Sequence, residues 1–302
     1  MNVAILGSGF GLYGYFPALC EHHCRVLLPE RYRAVLQNRP ELSHLMENVR
    51  WMTDEKDAIG LADAVVVACR PADQAGMIAE LVSKPKLKRL LLEKPLAIDP
   101  DTATHVLTQL ERSKKIIRIG YAFGFTGWGG GLAAAANGSN VEMFIRWTFR
   151  AHHYATDRSN WKRLHSQGGG ALRFYGIQLI GLLAALGFDE VVSSRIATVK
   201  SDEVESWRAC LANKKGARCD LELDSNAAQN SFSVHAPALG VDVALADPFD
   251  GPTVDDGDRR VPVLSALCKE TLSAEQSPHP WYRNTIELWR RIEAVSNLGK
   301  YP

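Results

Sequence analysis

The chain opens on a short apolar run, Val3–Leu6. The same signal recurs at Cys24–Leu28, Val49–Met52, Ala64–Cys69, Leu87–Leu92 and Ile116–Gly120. Stretches such as ADAVVVAC and KRLLLEK are apolar at consecutive positions rather than alternating. That is the mark of strands buried on both faces of a parallel sheet. Between them, helices are predicted near 12–22, 31–39, 72–83 and 100–113. Such strand–helix alternation predicts an α/β domain of the Rossmann type, a doubly wound parallel sheet.

After residue 120 the pattern changes. GYAFGFTGWGGG reads as a glycine-rich loop, and VEMFIRWTFR alternates like a strand in a half-solvated antiparallel sheet. A helix is predicted over 170–187, then strands at Val191–Val199, Ser206–Ala212, Arg218–Leu223, Ser231–His235 and Val241–Ala246. KKG at 214–216 reads as a hairpin turn, and DPFDGPTVDDGD at 247–258 as an acidic surface loop. A last helix over 281–296 has the apolar spacing of one that packs back on the body. The expected architecture is a doubly wound α/β domain over 1–120 and an α+β domain with an open antiparallel sheet over 121–302.

Composition narrows the function classes. The 302 residues are 46% hydrophobic and 23% charged, ordinary for a globular protein of two domains. A net charge of +1 gives no support to a nucleic-acid or membrane partner. The longest apolar run, 177–188, is too short to span a bilayer. MNVAILGSGF has no basic region ahead of its apolar stretch, unlike a secretory leader, so a cytoplasmic protein is expected. The six cysteines, at 20, 24, 69, 210, 219 and 268, form no zinc-type CxxC pair and read as reduced thiols. CEHHC at 20–24 fits no standard metal spacing, so no metal site is expected.

The candidate chemistry begins at GSGFG, residues 7–11, between the first strand and the first helix. Small residues there let backbone N–H groups approach a pyrophosphate at a helix N-terminus. Gly7 suits the tight turn and Gly9 the close approach, with Ser8, Phe10 and Gly11 completing the loop. The third glycine position of GxGxxG holds Leu12, flanked by Gly11 and Gly14. At the end of the second strand, in PERYR, Glu30 can accept from a ribose 2′-hydroxyl, whereas Arg31 and Arg33 can pair a 2′-phosphate. NAD and NADP both stay open.

Glu93-Lys94-Pro95 ends the fifth strand. A lysine at the carboxyl edge of a parallel strand faces the crevice where ligands bind. Beside a cofactor it can hold a substrate hydroxyl or move a proton. Proline after it forces an extended backbone and stops the strand.

GSGFGLYGYFPAL (7–19), DAVVVACRPADQ (63–74), EKPLA (93–97) and the segment from Trp161 through GGGALRFYGIQLIGLLAALG resemble the Gfo/Idh/MocA family of nicotinamide-dependent oxidoreductases. The resemblance implies a Rossmann domain, then an open-faced sheet used for oligomer contacts, in a homodimer or homotetramer. It implies NAD or NADP as cofactor, with Cys69, Arg70, Pro71, Gln74 and Glu93 joining the glycine loop and Lys94 around it. Substrates would be sugars, nucleotide sugars, polyols or related small molecules. Lys94 stands at the family's catalytic lysine.

The departures are specific. Family members often carry an Asp and a His one turn apart in the helix after the glycine run; here those positions hold Phe174 and Gln178. The i, i+4 spacing puts both on one face, but neither exchanges a proton. Arg70 and Gln74 stand where a proline and a histidine are common. Tyr175 is the nearest phenol, although an ideal helix turns it about 100° from Phe174. Catalytic roles are therefore expected for Lys94, Gln178 and Tyr175, and substrate contacts for Trp161, Lys162, Arg163, Phe174 and Gln178. The glycines of GGGALRFYG are expected to let that helix start close to the cofactor crevice.

From Arg146 to Arg173 there are six Lys or Arg against one acid, Asp157. This stretch suits an anionic substrate, such as a nucleotide-linked sugar, or equally a solvated basic face. His152 and His153, if on a strand, would point to opposite faces. The expected activity is hydride exchange with a sugar-like alcohol or ketone. The alternatives are a non-catalytic dinucleotide-binding regulator of the same fold and an enzyme that uses its nicotinamide transiently.

Overall fold

The computed structural model describes residues 1–135, 141–249, 257–275 and 278–300. Its contacts group the chain into two compact units, Met1–Leu96 with His105–Phe125 and Gly251–His279, and Ala97–Thr104 with Thr126–Asp250 and Pro280–Pro302.

The first unit holds six parallel strands: β1 (Asn2–Leu6), β2 (Arg25–Pro29), β3 (Val49–Met52), β4 (Ala64–Val67), β5 (Arg89–Leu92) and β6 (Ile116–Ile119). Their order, β3-β2-β1-β4-β5-β6, reverses direction at β1, between β2 and β4. In an open α/β sheet that reversal is where a crevice forms at the carboxyl ends of the strands. Ala64–Val67 is buried at every position, as its unbroken apolar run requires. β4 and β6 end two and one residues earlier than the apolar runs suggested, and β5 starts two residues later. The helix Glu55–Leu61, capped by Asp54 accepting from the Asp57 N–H, was not expected; its seven residues are too few for a clear period.

A second unforeseen helix, Val261–Ser273, returns to this unit. Leu264, Leu267 and Cys268 enter the same apolar core as Leu12, Tyr15, Phe16 and Leu19. The 3- and 4-residue spacing of those positions was the available signal. Arg118 on β6 is buried and donates from Nε to Glu270 Oε1 at 2.5 Å, and Arg89 donates to the Ala274 carbonyl. These bonds tie the segment to the sheet edge.

The second unit is built on β7 (Glu142–Arg150), β8 (Glu190–Lys200), β9 (Glu203–Ala212), β10 (Arg218–Asp224), β11 (Asn226–Ala236), β12 (Val241–Leu245) and β13 (Asn297–Lys300). Their order is β12-β11-β7-β10-β9-β8-β13. The sheet is mostly antiparallel, as expected, but β10 runs parallel to β7 and β13 parallel to β8. The β9–β10 hairpin turns at the predicted KKG. The glycine-rich stretch after residue 120 is a helix rather than a loop over Gly127–Ala135. Its glycines are tolerated because Trp128 is anchored, ring against Phe232 and Nε1 donating to the Pro248 carbonyl. Helix Ile177–Ala185 packs against Trp281–Val295. Of the acidic loop 247–258, residues 250–256 lie outside the described ones. Among the described residues no helix is long and apolar enough to cross a membrane.

Candidate active site

The glycine loop is built around three contacts. Gly7 has φ of +118°, and a Cβ there would stand 2.3 Å from the Ala68 carbonyl oxygen, so no other residue fits. A Cβ on Gly11 would meet Ile5 Cγ2 at 2.7 Å. Gly11 therefore lets the helix close on the strand, the task of the third glycine in GxGxxG, one position early. Leu12 is buried in the core, so the departure from the motif costs nothing. Gly9 is different: a Cβ there would meet nothing within 4 Å. Open space over a loop that enters the helical stretch 11–20 is a cradle that a pyrophosphate fits. The Gly7 N–H is already given to the Tyr32 hydroxyl at 2.9 Å.

Around that loop the side chains interlock. Phe10 lies edge-on to Tyr13 and Tyr15, and the Arg260 guanidinium lies 4.3 Å over its ring. Arg260 in turn pairs with Asp258 through Nε at 2.8 Å and Nη2 at 2.6 Å. Nothing in the sequence near Arg260 marks it as a neighbour of Phe10, some 250 positions away.

At the end of β2, Arg33 donates to both oxygens of Glu30 and stacks over the Trp51 ring at 4.2 Å. That pairing holds the Glu30 carboxyl below its usual range. Arg31 is bonded to Glu55, which also accepts from the Tyr32 hydroxyl. The acid and the two bases expected to read the ribose are thus bound in ion pairs. Cys69 donates to the Leu6 carbonyl at 3.4 Å, and burial pushes its thiol up to about 11.

Lys94 follows β5 in a loop held from both sides. Glu93 accepts from the Tyr15 hydroxyl at 2.5 Å. Burial raises the Glu93 carboxyl, against the opposing pull of Lys94 and the Tyr15 hydrogen bond. Gly120 makes room for this pair, since a Cβ there would lie 2.7 Å from Glu93 Oε1 and 2.9 Å from the Tyr15 hydroxyl. Pro71 starts the next helix, with Arg70 as its N-cap, and Gln74 in its first turn is fully buried. Gln74 Nε2 lies 2.8 Å from the Glu93 carbonyl, 3.2 Å from Pro95 and 3.1 Å from Leu96.

In the second unit, Trp161, Lys162, Phe174 and Tyr175 come together. Trp161 meets Phe174 edge-on at 5.3 Å, Phe174 meets Tyr175 at 4.8 Å, and Lys162 Nζ lies 5.4 Å from the Phe174 ring centre. Tyr175 also packs edge-on against Trp147 and Phe149 of β7. Gln178 is buried at the first turn of the following helix. The close approach that the glycines permit is internal to this unit. A Cβ on Gly169 would fall 2.3 Å from the Trp161 carbonyl oxygen, and Gly170, at φ of +77°, faces Val204.

The basic stretch divides. Arg163 is buried, donating to Glu203 at 2.8 Å and Asp157 at 3.2 Å. Arg173 grips both oxygens of Glu293 and donates to the Ile98 and His165 carbonyls. Arg146 pairs with Glu222. These three are held by acids distant in sequence, which a count of local charge cannot see. His152 and His153 open a helical turn rather than continue β7, because the strand ends at Arg150. His153 is buried beside Tyr175, and burial with nearby Lys162, Arg163 and His152 pushes it down to about 4. His22 of CEHHC makes its bonds to Ser265, and among the described residues no cluster of His, Cys, Asp and Glu is arranged to hold a metal ion.

A family model described as an oxidoreductase family with an NAD-binding Rossmann fold matches residues 1–121. Among curated proteins, none matches the sequence. Solved structures resemble the whole chain. A 3-ketoreductase from Actinomadura kijaniata, in complex with NADP and TDP-benzene, superposes with a TM-score of 0.72 at 16% identity, covering 100% of this chain and 99% of that one. The WlbA dehydrogenase from Thermus thermophilus, in complex with NAD and UDP-GlcNAcA, gives 0.73 at 13% identity, covering 100% and 97%. Its counterpart from Bordetella pertussis, with NADH and UDP-GlcNAcA, gives 0.74 at 15% identity, covering 98% and 94%. At these identities the likeness is one of fold.

Proposed function

We propose, from the premise that this chain belongs through its first 121 residues to the Gfo/Idh/MocA oxidoreductase family, that it interconverts an alcohol and a ketone on a sugar-like substrate. The cofactor is NAD or NADP; when bound it supplies or accepts the hydride. Gly7 to Gly11 would hold its pyrophosphate over the open side of Gly9.

The observation that carries this reading is the presentation of Lys94. The residue leaves a central parallel strand in a loop fixed by the Tyr15–Glu93 and Gln74 hydrogen bonds. A regulator that only binds a dinucleotide has no use for a lysine on so constrained a loop. Lys94 would donate to the substrate oxygen and stabilise charge that develops there. Gln178 orients the substrate without exchanging a proton. Tyr175, packed among Trp147, Phe149 and Phe174, is the phenol nearest to it in sequence.

The substrate class follows from the aromatic cluster and the Lys162 ammonium beside it. Trp161 and Phe174 offer apolar faces of the kind that sugars and bases stack on, and Lys162 adds a positive charge beside them. Nucleotide-linked sugars, the ligands of the WlbA structures, match that chemistry. The test is to mix the protein with NADH or NADPH and a panel of keto-sugars, free and nucleotide-linked, and to follow nicotinamide absorbance. Oxidation that is lost in Lys94→Ala supports the proposal. Tight dinucleotide binding with no turnover across the panel would favour the regulator, and product analysis would expose a redox-neutral reaction.

A further inference from the structure

We propose that Gln74 is a positioning residue for Lys94, acting through the main chain of the loop that carries it. The inference rests on the reading of Lys94 given above. The segment from Glu93 to Leu96 leaves the sheet, so its carbonyls have no strand partner. Three of them, Glu93, Pro95 and Leu96, converge on one nitrogen, Gln74 Nε2, at 2.8, 3.2 and 3.1 Å. Three acceptors around one atom fix the amide's orientation, because the oxygen turned inward would face three oxygens. Gln74 Oε1 is buried and has no hydrogen-bond partner among the described residues. The side chain is therefore held in place for its donor end.

The residue is itself enclosed. It is fully buried, and its own N–H bonds the Arg70 carbonyl in the first turn of helix Pro71–Val82. A rigid helix thus grips the loop on both sides of Lys94. The Tyr15–Glu93 bond holds the neighbouring side chain independently. Losing the amide would remove the two N–H groups that these three carbonyls share, and the loop would shift to find water or other partners. A displacement near ~1 Å at a reacting group costs on the order of 100-fold in rate.

The test compares Gln74→Leu, which keeps the bulk and loses the donor, with Gln74→His, which can restore one. Lysine side chains are labelled by reductive 13C-methylation, and the Lys94 resonance is assigned with Lys94→Arg. Thermal midpoint and NADH and NADPH affinity are measured alongside. Gln74→Leu is expected to fold and to move the Lys94 resonance. With a turned-over substrate its kcat is expected to fall by roughly 100-fold at near-constant KM. Gln74→His should recover most of both. An unmoved Lys94 resonance in folded Gln74→Leu, or no recovery in folded Gln74→His, overturns the proposal. If Gln74→Leu does not fold, Gln74→Glu carries the test: its Lys94 resonance should follow the titration of the introduced carboxyl, and a pH-independent, parent-like resonance overturns the proposal. The resonance reports on the loop even if the protein turns nothing over, so failure of the enzymatic reading and failure of this one are distinct results.

Discussion

The Tyr15 hydroxyl and the Glu93 carboxylate meet at 2.5 Å, with the side chain of Tyr15 wholly buried. One residue comes from the helix after the glycine loop, the other from the end of β5. The bond links the proposed cofactor cradle to the loop that carries Lys94. Removing its donor in Tyr15→Phe leaves a buried carboxylate short of a partner, at a cost of about 1–3 kcal/mol. Gly120→Ala should cost as much by placing a methyl 2.7 Å from Glu93 Oε1. Urea denaturation of the two variants checks both figures, and an unchanged midpoint in either would contradict the pairing.

Gly7 and Gly9 should separate cleanly. Gly7→Ala meets both a positive φ of +118° and a carbonyl 2.3 Å away, so a loss of at least ~2 kcal/mol in stability is expected. Gly9→Ala meets open space and should leave the melting temperature unchanged. Its effect belongs to the ligand: NADH or NADPH affinity should fall by about tenfold, as backbone N–H groups can no longer come close. Calorimetric titration of Gly9→Ala decides the point.

Arg163 and Lys162 are neighbours with different tasks. Glu203 is nearly buried and paired to Arg163, so Arg163→Leu leaves that carboxylate only a 3.9 Å contact with the exposed Lys200 and should destabilise the fold by about 3 kcal/mol. Lys162→Ala should change stability by less than about 0.5 kcal/mol. It should instead raise KM for an anionic substrate while leaving that for a neutral sugar unchanged. Parallel melts and steady-state kinetics test the pair.

Two histidines set an acid limit. Burial holds His153 and His165 neutral, pushing each down to about 4, whereas an unfolded histidine titrates near ~6.5. Between those values the unfolded chain binds more protons, so stability falls as pH drops through that window and is fully present above it. Each ring contributes on the order of 3 kcal/mol across the whole window. Urea midpoints from pH 7 to 4 should decline, and His153→Leu should decline less steeply; equal slopes would remove His153 from the account.

The sequence by itself determined the parallel sheet, the glycine loop and the place of Lys94, because these depend on local patterns. Unbroken apolar runs require strands covered on both faces, and Gly7 is forced by the backbone of its own turn. Tertiary structure alone decided what those residues touch. Gly11 takes the third glycine's role because it faces Ile5 across the helix–strand contact, a distance no motif records. The basic stretch reads as one charged surface in the chain, yet folding sends Arg163 to Glu203 and Arg173 to Glu293. Helix Val261–Ser273 sits in the same core as Tyr15, joined by burial rather than by any nearby signal. Gln74 looked like a substitution at a cofactor position. Its helix and the carbonyls of residues 93, 95 and 96 meet only in the folded sheet, and there the amide becomes a clamp on the loop that carries Lys94. Local sequence patterns encode backbone geometry; partners distant in sequence are chosen by packing, which is where the roles of these side chains were set.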